Sequence, residues 1–323
     1  MPRHGSGGGW PSSQRYRGDV TDVQIVEVSA RDGLQNDAAQ LTVAQKVDLI
    51  GRTLDAGLVR QEVASFVNPA RVPQMAGAEE VVAALASRRD RDALSLIGLV
   101  LNARGFTRAA ATRLDEVNLV VAASDEFTRR NQGMGTDDAI AVVAEVAPLA
   151  LAAGIEPTVT VSTSFGCPFE GEVPVDRLVA VVEALAGSGV TEIALADTIG
   201  VAVPADVHDR VRQVRDVVGG VRLRAHFHNT RNTGYANALA AYEEGVHVLD
   251  SSLGGIGGCP FAPRATGNIA TEDLVYLLER SGVSTGLDLD RLIAASEWLG
   301  ELLGRPTPSL VSKAGGFPTA AGR

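Results

Sequence analysis

Residues 192–228 read EIALADTIGVAVPADVHDRVRQVRDVVGGVRLRAHFH, and this stretch decides the fold. A short apolar run at 192–196 is followed by a longer stretch with helical periodicity at 204–218, and then by a second strand-like run at 222–228. Short runs of this composition are typical of buried strands, and the helical period between them indicates a crossover helix. The stretch therefore predicts a β–α–β unit whose two strands are parallel.

The same alternation extends outward in both directions, from about residue 22 to about residue 281. Eight strands joined by helical crossovers predict an α/β fold of the (β/α)8 TIM barrel type, because eight is the number that closes such a sheet. The rhythm alone leaves a doubly wound open sheet as the alternative. The predicted strands are 23–29, 58–65, 95–100, 116–122, 157–162, 192–196, 222–228 and 246–250.

The domain boundaries follow from where this rhythm begins and ends. No linker interrupts residues 22–305, which are therefore predicted to form one catalytic barrel domain, with an extra C-terminal helix at 288–303. Residues 1–21 are rich in Gly, Ser and Pro and lack apolar periodicity, which predicts a disordered tail. Residues 306–323 are predicted to be a flexible C-terminal tail.

Composition narrows the possible partners. The chain has 323 residues and a formal net charge of −10, so it lacks the surplus of basic residues that nucleic acid binding requires. A few local arginines can still bind an anionic substrate. Without a run of about 20 apolar residues we expect no membrane span. The two cysteines, Cys167 and Cys259, form no disulfide framework, which favours a cytoplasmic protein.

Polar side chains follow several of the predicted strands. His226 and His228 end the seventh strand two residues apart, so both imidazoles face the same side. Asp32 follows the first strand and Asn268 follows the eighth, and in a barrel these positions meet at one mouth. This mixed nitrogen and oxygen set suits Mg²⁺ or Mn²⁺, with Zn²⁺ as an alternative. Taken alone, the histidines could equally be hydrogen-bonded interior residues, and Arg31–Asp32 a salt-bridged loop pair.

A series of short motifs adds a resemblance to a known family. Between Val23 and Leu289 the chain resembles the hydroxymethylglutaryl-CoA lyases, within a wider group of barrel metal-dependent lyases and condensing synthases. The motifs form five blocks that occur in order, each beginning at or just after a predicted strand end. They are RDGLQN (31–36), EVASFV (62–67), VPQM (72–75), GCPFEG (166–171), DTIG (197–200), GGIGGCP (254–260), GN (267–268) and ATEDL (270–274).

The resemblance implies a retro-Claisen cleavage of 3-hydroxy-3-methylglutaryl-CoA, or of a close 3-hydroxyacyl-CoA, to acetyl-CoA and a keto acid such as acetoacetate. It thereby implies a place in leucine degradation and ketone-body formation, and a homodimer or larger homo-oligomer. The residues it implies are Asp32, His226, His228 and Asn268 as metal ligands, Arg31 as the group that stabilises the enolate and contacts substrate, Glu62 and Asp197 as acidic catalytic groups, and Cys259 as a catalytic residue on a Gly-rich loop.

Other interpretations of these residues stay open. Glu62 and Asp197 could form salt bridges at the barrel mouth, and Cys259 could be a small buried hydrophobic residue. Thr198 is a candidate substrate ligand but is also a good helix N-cap. A condensing acyltransferase or a 4-hydroxy-2-oxo acid aldolase on the same barrel is an alternative enzyme, and a non-catalytic acyl-CoA-binding barrel is a third alternative.

The sequence also departs from the family pattern beside the predicted ligands. Asn229 stands where an acid is usual after the second histidine, and Arg231 adds a positive charge two residues further on. Ser29 and Ala30 replace the usual Gly-Pro before the Arg-Asp pair. None of these changes removes a ligand. They make Arg231 a candidate partner for a substrate carboxylate placed differently from that of hydroxymethylglutarate.

Overall fold

The computed structural model describes residues 22–258 and 267–318, in which eight parallel strands close into a barrel. The strands are β1 (Gln24–Glu27), β2 (Arg60–Ser65), β3 (Ser95–Leu99), β4 (Glu116–Ala122), β5 (Glu156–Ser162), β6 (Glu192–Asp197), β7 (Arg222–Phe227) and β8 (Val248–Ser251). Each strand pairs with the next one in sequence, and β1 closes the barrel against β8 from Gln24↔Val248 to Glu27↔Ser251. This topology confirms the predicted TIM barrel, and the alternative prediction of a doubly wound open sheet is wrong.

Helices surround the barrel and bury their apolar sides against it. They are α1 (Val43–Asp55), α2 (Ala78–Ala86), α3 (Ala103–Ala110), α4 (Asp125–Gln132), α5 (Thr136–Ala152), α6 (Val175–Ala186), α7 (Pro204–Val218), α8 (Gly234–Glu243), α9 (Thr271–Arg280), α10 (Leu289–Leu303) and α11 (Val311–Ala314). The α6 residues Val181, Val182 and Leu185 are fully buried, as the helical period requires. Among the described residues, none of these helices has the length and apolar character needed to cross a membrane.

The barrel interior is charged. The interiors of TIM barrels are commonly filled by branched apolar side chains. Here Arg60 donates hydrogen bonds of 2.6–3.0 Å to both Glu116 and Glu192 across the barrel. Buried charges require such partners because desolvation is costly. The polar side chains along the inner face include Arg60 and Glu62 on β2, Glu116 and Asn118 on β4, Glu192 on β6, Arg224 and His226 on β7, and Asp250 on β8.

The C-terminal segment matches the prediction only in part. The extra helix is α10, and Asp288 caps it by accepting a hydrogen bond from the Arg291 amide. Residues 306–318 differ from the flexible tail that we expected, because Ser309 is buried and α11 follows it. The Asp273 carboxylate, in the first turn of α9, accepts hydrogen bonds from Ser309 Oγ and from the Val311 amide, both at 2.7 Å. Local composition could not predict these contacts, because they join residues that are far apart in the sequence.

Candidate active site

Three predicted metal ligands converge at the C-terminal mouth of the barrel. Asp32, His226 and His228 each offer one ligand atom, and these atoms lie within 4.8 Å of one another. Asp32 lies in a single π-helical turn, Ser29–Gly33, that directly follows β1. His226 Nε2 is 4.0 Å from Asp32 Oδ2. The i, i+2 spacing on β7 therefore directs both imidazoles to the same side, as predicted.

Asn268, the fourth predicted ligand, lies beside the other three. It forms an isolated antiparallel bridge with His228, which fixes its backbone next to the end of β7. Its Nδ2 donates to Asp32 Oδ2 at 2.8 Å and to the Ile256 carbonyl at 3.1 Å. Its Oδ1 is buried and accepts no hydrogen bond from residues 22–258 or 267–318, and within those residues His228 Nδ1 is likewise buried without a partner. The structure thus brings together all four predicted ligands.

The donor set and its protonation suit a hard divalent cation. Among the described residues, fourteen buried side-chain polar atoms have no hydrogen-bond partner, and two of them, Asn268 Oδ1 and His228 Nδ1, belong to these four residues. Burial opposes ionisation of Asp32, but the charge of Arg31 and the two imidazoles bring its pKa down to about 2. Burial and the charge of His226 lower the pKa of His228 to about 4. An ionised carboxylate and a neutral imidazole are the forms that bind metal, and Asp32 and His228 are held in these forms. Burial would lower the pKa of His226, but its contacts with Asp250 and Asp32 raise it, so a cation must displace a proton more readily held by that ring. The donor types of the four residues fit a divalent ion.

Arg31 lies on the wall of the site with its guanidinium held from two sides. Its Nε donates to Glu62 Oε2 at 2.6 Å, and its Nη1 donates to Asp32 Oδ1 at 2.9 Å. Glu62 is buried and accepts a further hydrogen bond from Asn118 Nδ2 at 3.1 Å. Burial alone would lower the pKa of Arg31, but Glu62 and Asp32 raise it above its ordinary value. The site therefore presents a fixed positive charge next to the metal ligands.

Three of the four predicted ligands face a cavity with about 870 Å³ of empty space, part of which is open to solvent. Arg31, Asp32, His226 and His228 line its polar side. A second cavity shares Gln35 with the first, so a substrate with a long arm can extend along the barrel mouth. The apolar side chains that line the first cavity are Val67, Leu99, Leu101, Val120, Phe127 and Ala196.

Asp197 and Thr198 organise the loop after β6. The Asp197 carboxylate accepts hydrogen bonds from the amides of Val201 at 2.9 Å and Ala202 at 3.0 Å. Burial raises the pKa of Asp197. The Thr198 hydroxyl accepts a hydrogen bond from the Thr163 amide at 2.8 Å, and the residue also lines the cavity. Of these two predicted site residues, Thr198 therefore reaches the cavity, whereas Asp197 is bonded to its own loop.

Arg231 is placed outside the cavity lining. Its side chain is turned toward the loop after β6, where Nη1 donates to the carbonyls of Ile199 at 3.1 Å and Gly200 at 2.8 Å. The neighbouring Asn229 accepts a hydrogen bond from the Gly234 amide at the start of α8. Both departures from the family pattern therefore have local structural roles.

The Gly-rich loop starts beside the ligands. Gly257 has φ of 110°, and a Cβ atom there would lie 2.6 Å from Asn268 Nδ2, so glycine is required for this close approach. The Gly258 carbonyl accepts a hydrogen bond of 2.9 Å from Asn36 Nδ2. Cys259, the predicted catalytic cysteine, lies outside the described residues.

One site residue was missing from the sequence prediction. Asp250, at the inner face of β8, lies with Oδ2 3.1 Å from His226 Nδ1. Burial opposes its ionisation, but Arg224 and His226 together hold its pKa below the ordinary value. A carboxylate behind a metal-binding histidine orients the ring. Asp250 lies at the end of the predicted strand 246–250, and this position is the signal that could have identified it.

Comparison with known proteins agrees with this geometry. The family model described as HMGL-like matches residues 22–299. An (R)-citramalyl-CoA lyase of Chloroflexus aurantiacus is 48% identical over 300 residues, covering 91% of this chain and 95% of that protein. A hydroxymethylglutaryl-CoA lyase of Bacillus subtilis is 36% identical over 288 residues, covering 89% and 95%. The solved HMG-CoA lyase of Acinetobacter baumannii, in complex with coenzyme A and 3-methylmalate, matches with TM-score 0.87 and 39% identity, covering 93% of this chain and 97% of that one.

The names of these relatives indicate the class of reaction. Both curated relatives are named as lyases of CoA esters, and each match extends over most of both chains. The family depends on a divalent metal, and the Asp32, His226 and His228 cluster supplies a possible site for it. The carbon–carbon lyase expected from the sequence is thereby confirmed. The chain belongs to the HMGL-like family and is a lyase of CoA esters.

Proposed function

We propose that this enzyme cleaves a CoA thioester that carries a tertiary hydroxyl at C3, with Mg²⁺ or Mn²⁺ bound by Asp32, His226, His228 and Asn268. The observation that carries the proposal is the convergence of these ligands, with two unpartnered buried atoms among them, beside the fixed guanidinium of Arg31. The cation supplies Lewis acidity, which lowers the pKa of the substrate hydroxyl. The remaining chemistry is performed by the side chains.

In the proposed reaction the 3-hydroxyl passes its proton to a water molecule at the solvent-open side of the cavity, its C–O bond becomes a carbonyl, and the C2–C3 bond breaks. The electron pair of that bond stays with the thioester fragment as an enolate. Arg31 opposes the negative charge that develops on the enolate oxygen. Because Glu62 and Asp32 already hold Arg31, its charge needs no reorganisation as the reaction proceeds. We assign to Cys259 the final donation of a proton to C2, which yields acetyl-CoA.

The first substrate we propose is (R)-citramalyl-CoA, in which a carboxylate is attached directly to the carbon that bears the hydroxyl. The relative named for this substrate is 48% identical to the chain, compared with 36–39% for the relatives named as HMG-CoA lyases. A solved relative also holds 3-methylmalate, a methylated hydroxydiacid of the same size as citramalate. HMG-CoA, with one more methylene before its carboxylate, is the second candidate. Leucine degradation and ketone-body formation would follow only from that second substrate.

Other predicted residues keep proposed roles that match their contacts. We propose that Glu62 positions Arg31, since the two are hydrogen-bonded. Thr198 lines the cavity and is the proposed substrate ligand of the loop after β6. Asp197 and Arg231 both bond to that loop, so we propose that they act on the substrate through Thr198.

The test uses both thioesters with the purified enzyme and Mg²⁺ or Mn²⁺. Release of pyruvate measures cleavage of (R)-citramalyl-CoA, and release of acetoacetate measures cleavage of HMG-CoA. We expect kcat/KM to be at least about tenfold higher for citramalyl-CoA, because one methylene in a pocket changes affinity by about 10–200-fold. EDTA and the Asp32→Ala substitution should each abolish turnover.

The possible outcomes separate the reaction from the substrate. Faster cleavage of HMG-CoA would keep the lyase and reassign its substrate. If neither thioester is cleaved although Mn²⁺ binds, the proposed substrate class is wrong. Condensation of acetyl-CoA with a 2-oxo acid as the main activity would favour the synthase alternative.

A further inference from the structure

Below the metal ligands, charged side chains continue toward the base of the barrel. Arg224 lies on β7 two residues before His226, so both side chains face the interior. Its Nε lies 3.4 Å from Asp250 Oδ1, and its Nη1 lies 3.5 Å from Glu192 Oε1. Arg224 is only 2% exposed, so water does not screen these pairs. These contacts are ion pairs rather than hydrogen bonds, because Arg224 Nε and Asp250 Oδ1 have no hydrogen-bond partner among the described residues. The guanidinium therefore links two buried carboxylates at different depths of the barrel through its charge.

The upper carboxylate of this bridge is in contact with a metal ligand. Asp250 directs Oδ1 toward Arg224 and Oδ2 toward His226 Nδ1, which is 3.1 Å away. With Nδ1 engaged by a carboxylate, the proton of the neutral ring lies on Nδ1 and the lone pair lies on Nε2. His226 Nε2 is the nitrogen that faces Asp32, at 4.0 Å. The ring is thus oriented by the contact behind it.

The lower carboxylate gives the bridge a fixed anchor. Arg60 donates to both oxygens of Glu192, at 2.8 and 3.0 Å, and Arg222 Nε lies 3.4 Å from the same group. Arg224 Nη2 also donates to Thr160 Oγ1 at 3.4 Å. Because Glu192 is held in this way, it limits the positions that the Arg224 guanidinium can take. Arg224 therefore connects Asp250 to the hydrogen-bonded groups at the base of the barrel.

We propose that Arg224 is a positioning residue of the metal site: it fixes Asp250, which in turn orients His226 with Nε2 free to bind the ion. This inference rests on the proposed metal site. Without the guanidinium, Asp250 loses the contact on its far side and can rotate away from His226. The His226 ring then samples orientations and tautomers that cannot bind metal. Arg224 touches neither substrate nor ion and acts only through Asp250.

The expected effect is a weaker metal site in a folded protein. Removing the partner of a metal-binding histidine typically costs about 10–100-fold in metal affinity. Arg224 acts one contact further away, so we expect Arg224→Gln to raise the Kd for Mn²⁺ by about tenfold. Arg222→Gln is the matched control. Arg222 lies on the same strand and contacts the same Glu192, but its side chain is 53% exposed, and we expect the Kd to change less than about twofold.

Titration calorimetry of the purified full-length chain with MnCl₂ tests the inference, with Asp250→Asn and the Arg224→Gln/Asp250→Asn double variant included. If Arg224 acts through Asp250, its substitution should add little once Asp250 has been changed, and the cycle should show strong coupling. In the metal-free protein, the ¹⁵N shifts of the His226 ring should show the Nδ1-protonated tautomer in the wild type and a mixture in Arg224→Gln. A merely structural role would leave these shifts unchanged.

The outcomes are distinct from those of the proposed function. If the wild type binds no Mn²⁺, the proposed metal site fails. If the wild type binds Mn²⁺ and Arg224→Gln binds it within twofold, or if the two substitutions are additive, the positioning role of Arg224 is overturned. Should Arg224→Gln not fold, Arg224→Lys replaces it, because it keeps the charge and removes the planar fork. An unchanged Kd in that variant, with an unchanged His226 tautomer, would also overturn the inference.

Discussion

The base and the mouth of the barrel interior are both buried and polar, but they differ in how completely their groups are paired. At the base, Arg60 is hydrogen-bonded to Glu116 and Glu192, and each carboxylate has a cationic partner. At the mouth, Asn268 Oδ1 and His228 Nδ1 are buried and find no hydrogen-bond partner in the part of the chain that the structure describes. A network whose polar groups are all paired contributes to stability. A network with unpaired buried groups can also bind a ligand such as a metal ion. We therefore expect base variants to change stability and mouth variants to change catalysis.

The largest expected effect is on stability, at the base. Arg60→Met removes the cation that Glu116 and Glu192 share, so it leaves buried carboxylates without that partner. Breaking a buried pair from one side typically costs about 3–5 kcal/mol. Urea denaturation of the metal-free protein measures the change in the free energy of unfolding.

The control for Arg60 is Arg212→Gln, which breaks an ion pair with Glu244 from a side chain that is 66% exposed. Exposed pairs contribute up to about 1 kcal/mol, so this variant should remain close to the wild type. Equal losses in Arg60→Met and Arg212→Gln would contradict the distinction between a buried network and a surface pair.

The second effect is on catalysis, at the mouth. Arg31→Gln removes the fixed charge beside the metal ligands, and kcat should fall by about 10²–10³-fold, or about 3–4 kcal/mol, as for loss of one preorganised donor. Steady-state kinetics on the better thioester provides the measurement. Arg129→Gln, on the outer surface of α4, should keep the wild-type kcat. A decrease of less than tenfold in Arg31→Gln would remove Arg31 from its proposed role.

A smaller effect concerns Glu272, a buried acid at the start of α9 whose Oε2 accepts a hydrogen bond from the Gly254 amide at 3.0 Å. Burial raises its pKa from an ordinary 4.5 to about 7. The folded state therefore binds this proton more tightly than the unfolded state. The stability it contributes is complete below pH 4.5 and is lost as the pH rises through about 7.

Glu272→Gln, which carries no titrating proton, should remove this loss. The free energy of unfolding of the variant minus that of the wild type should therefore be about 1–3 kcal/mol larger at pH 8 than at pH 5. Chemical denaturation at the two pH values measures the difference, and Glu301→Gln on the exposed side of α10 is the control. A gain that is the same for both variants would rule out Glu272 as its source.

Periodicity was sufficient to predict the barrel, and the strand-end rule was sufficient to predict which side chains meet at its mouth. Each predicted strand overlaps an observed one, because buried parallel strands are continuous apolar runs and the crossovers have helical period. Asp32, His226, His228 and Asn268 come together because the C-terminal ends of barrel strands meet at one mouth. Both rules use only the order of the elements and the spacing of residues along them, and these can be read from the sequence.

The sequence could not predict contacts made at a distance. The partners of Arg231, two carbonyls of the loop after β6, depend on how adjacent loops pack. The Asp273 carboxylate that anchors the C-terminal segment is likewise separated from it by more than 30 residues. Arg60 and Arg224 resemble surface arginines in the sequence, and only the closed barrel shows that they are buried and paired. These features require the three-dimensional arrangement.

Calorimetric titration of Mn²⁺ into the wild type and into His228→Ala tests the central claim most directly, namely that the incompletely paired groups at the mouth hold a divalent cation. We expect one Mn²⁺ per chain in the wild type and at least about a hundredfold weaker binding in His228→Ala, with unchanged binding in the surface variant Arg212→Gln. Equal binding by wild type and His228→Ala, or no binding by the wild type, would contradict the account.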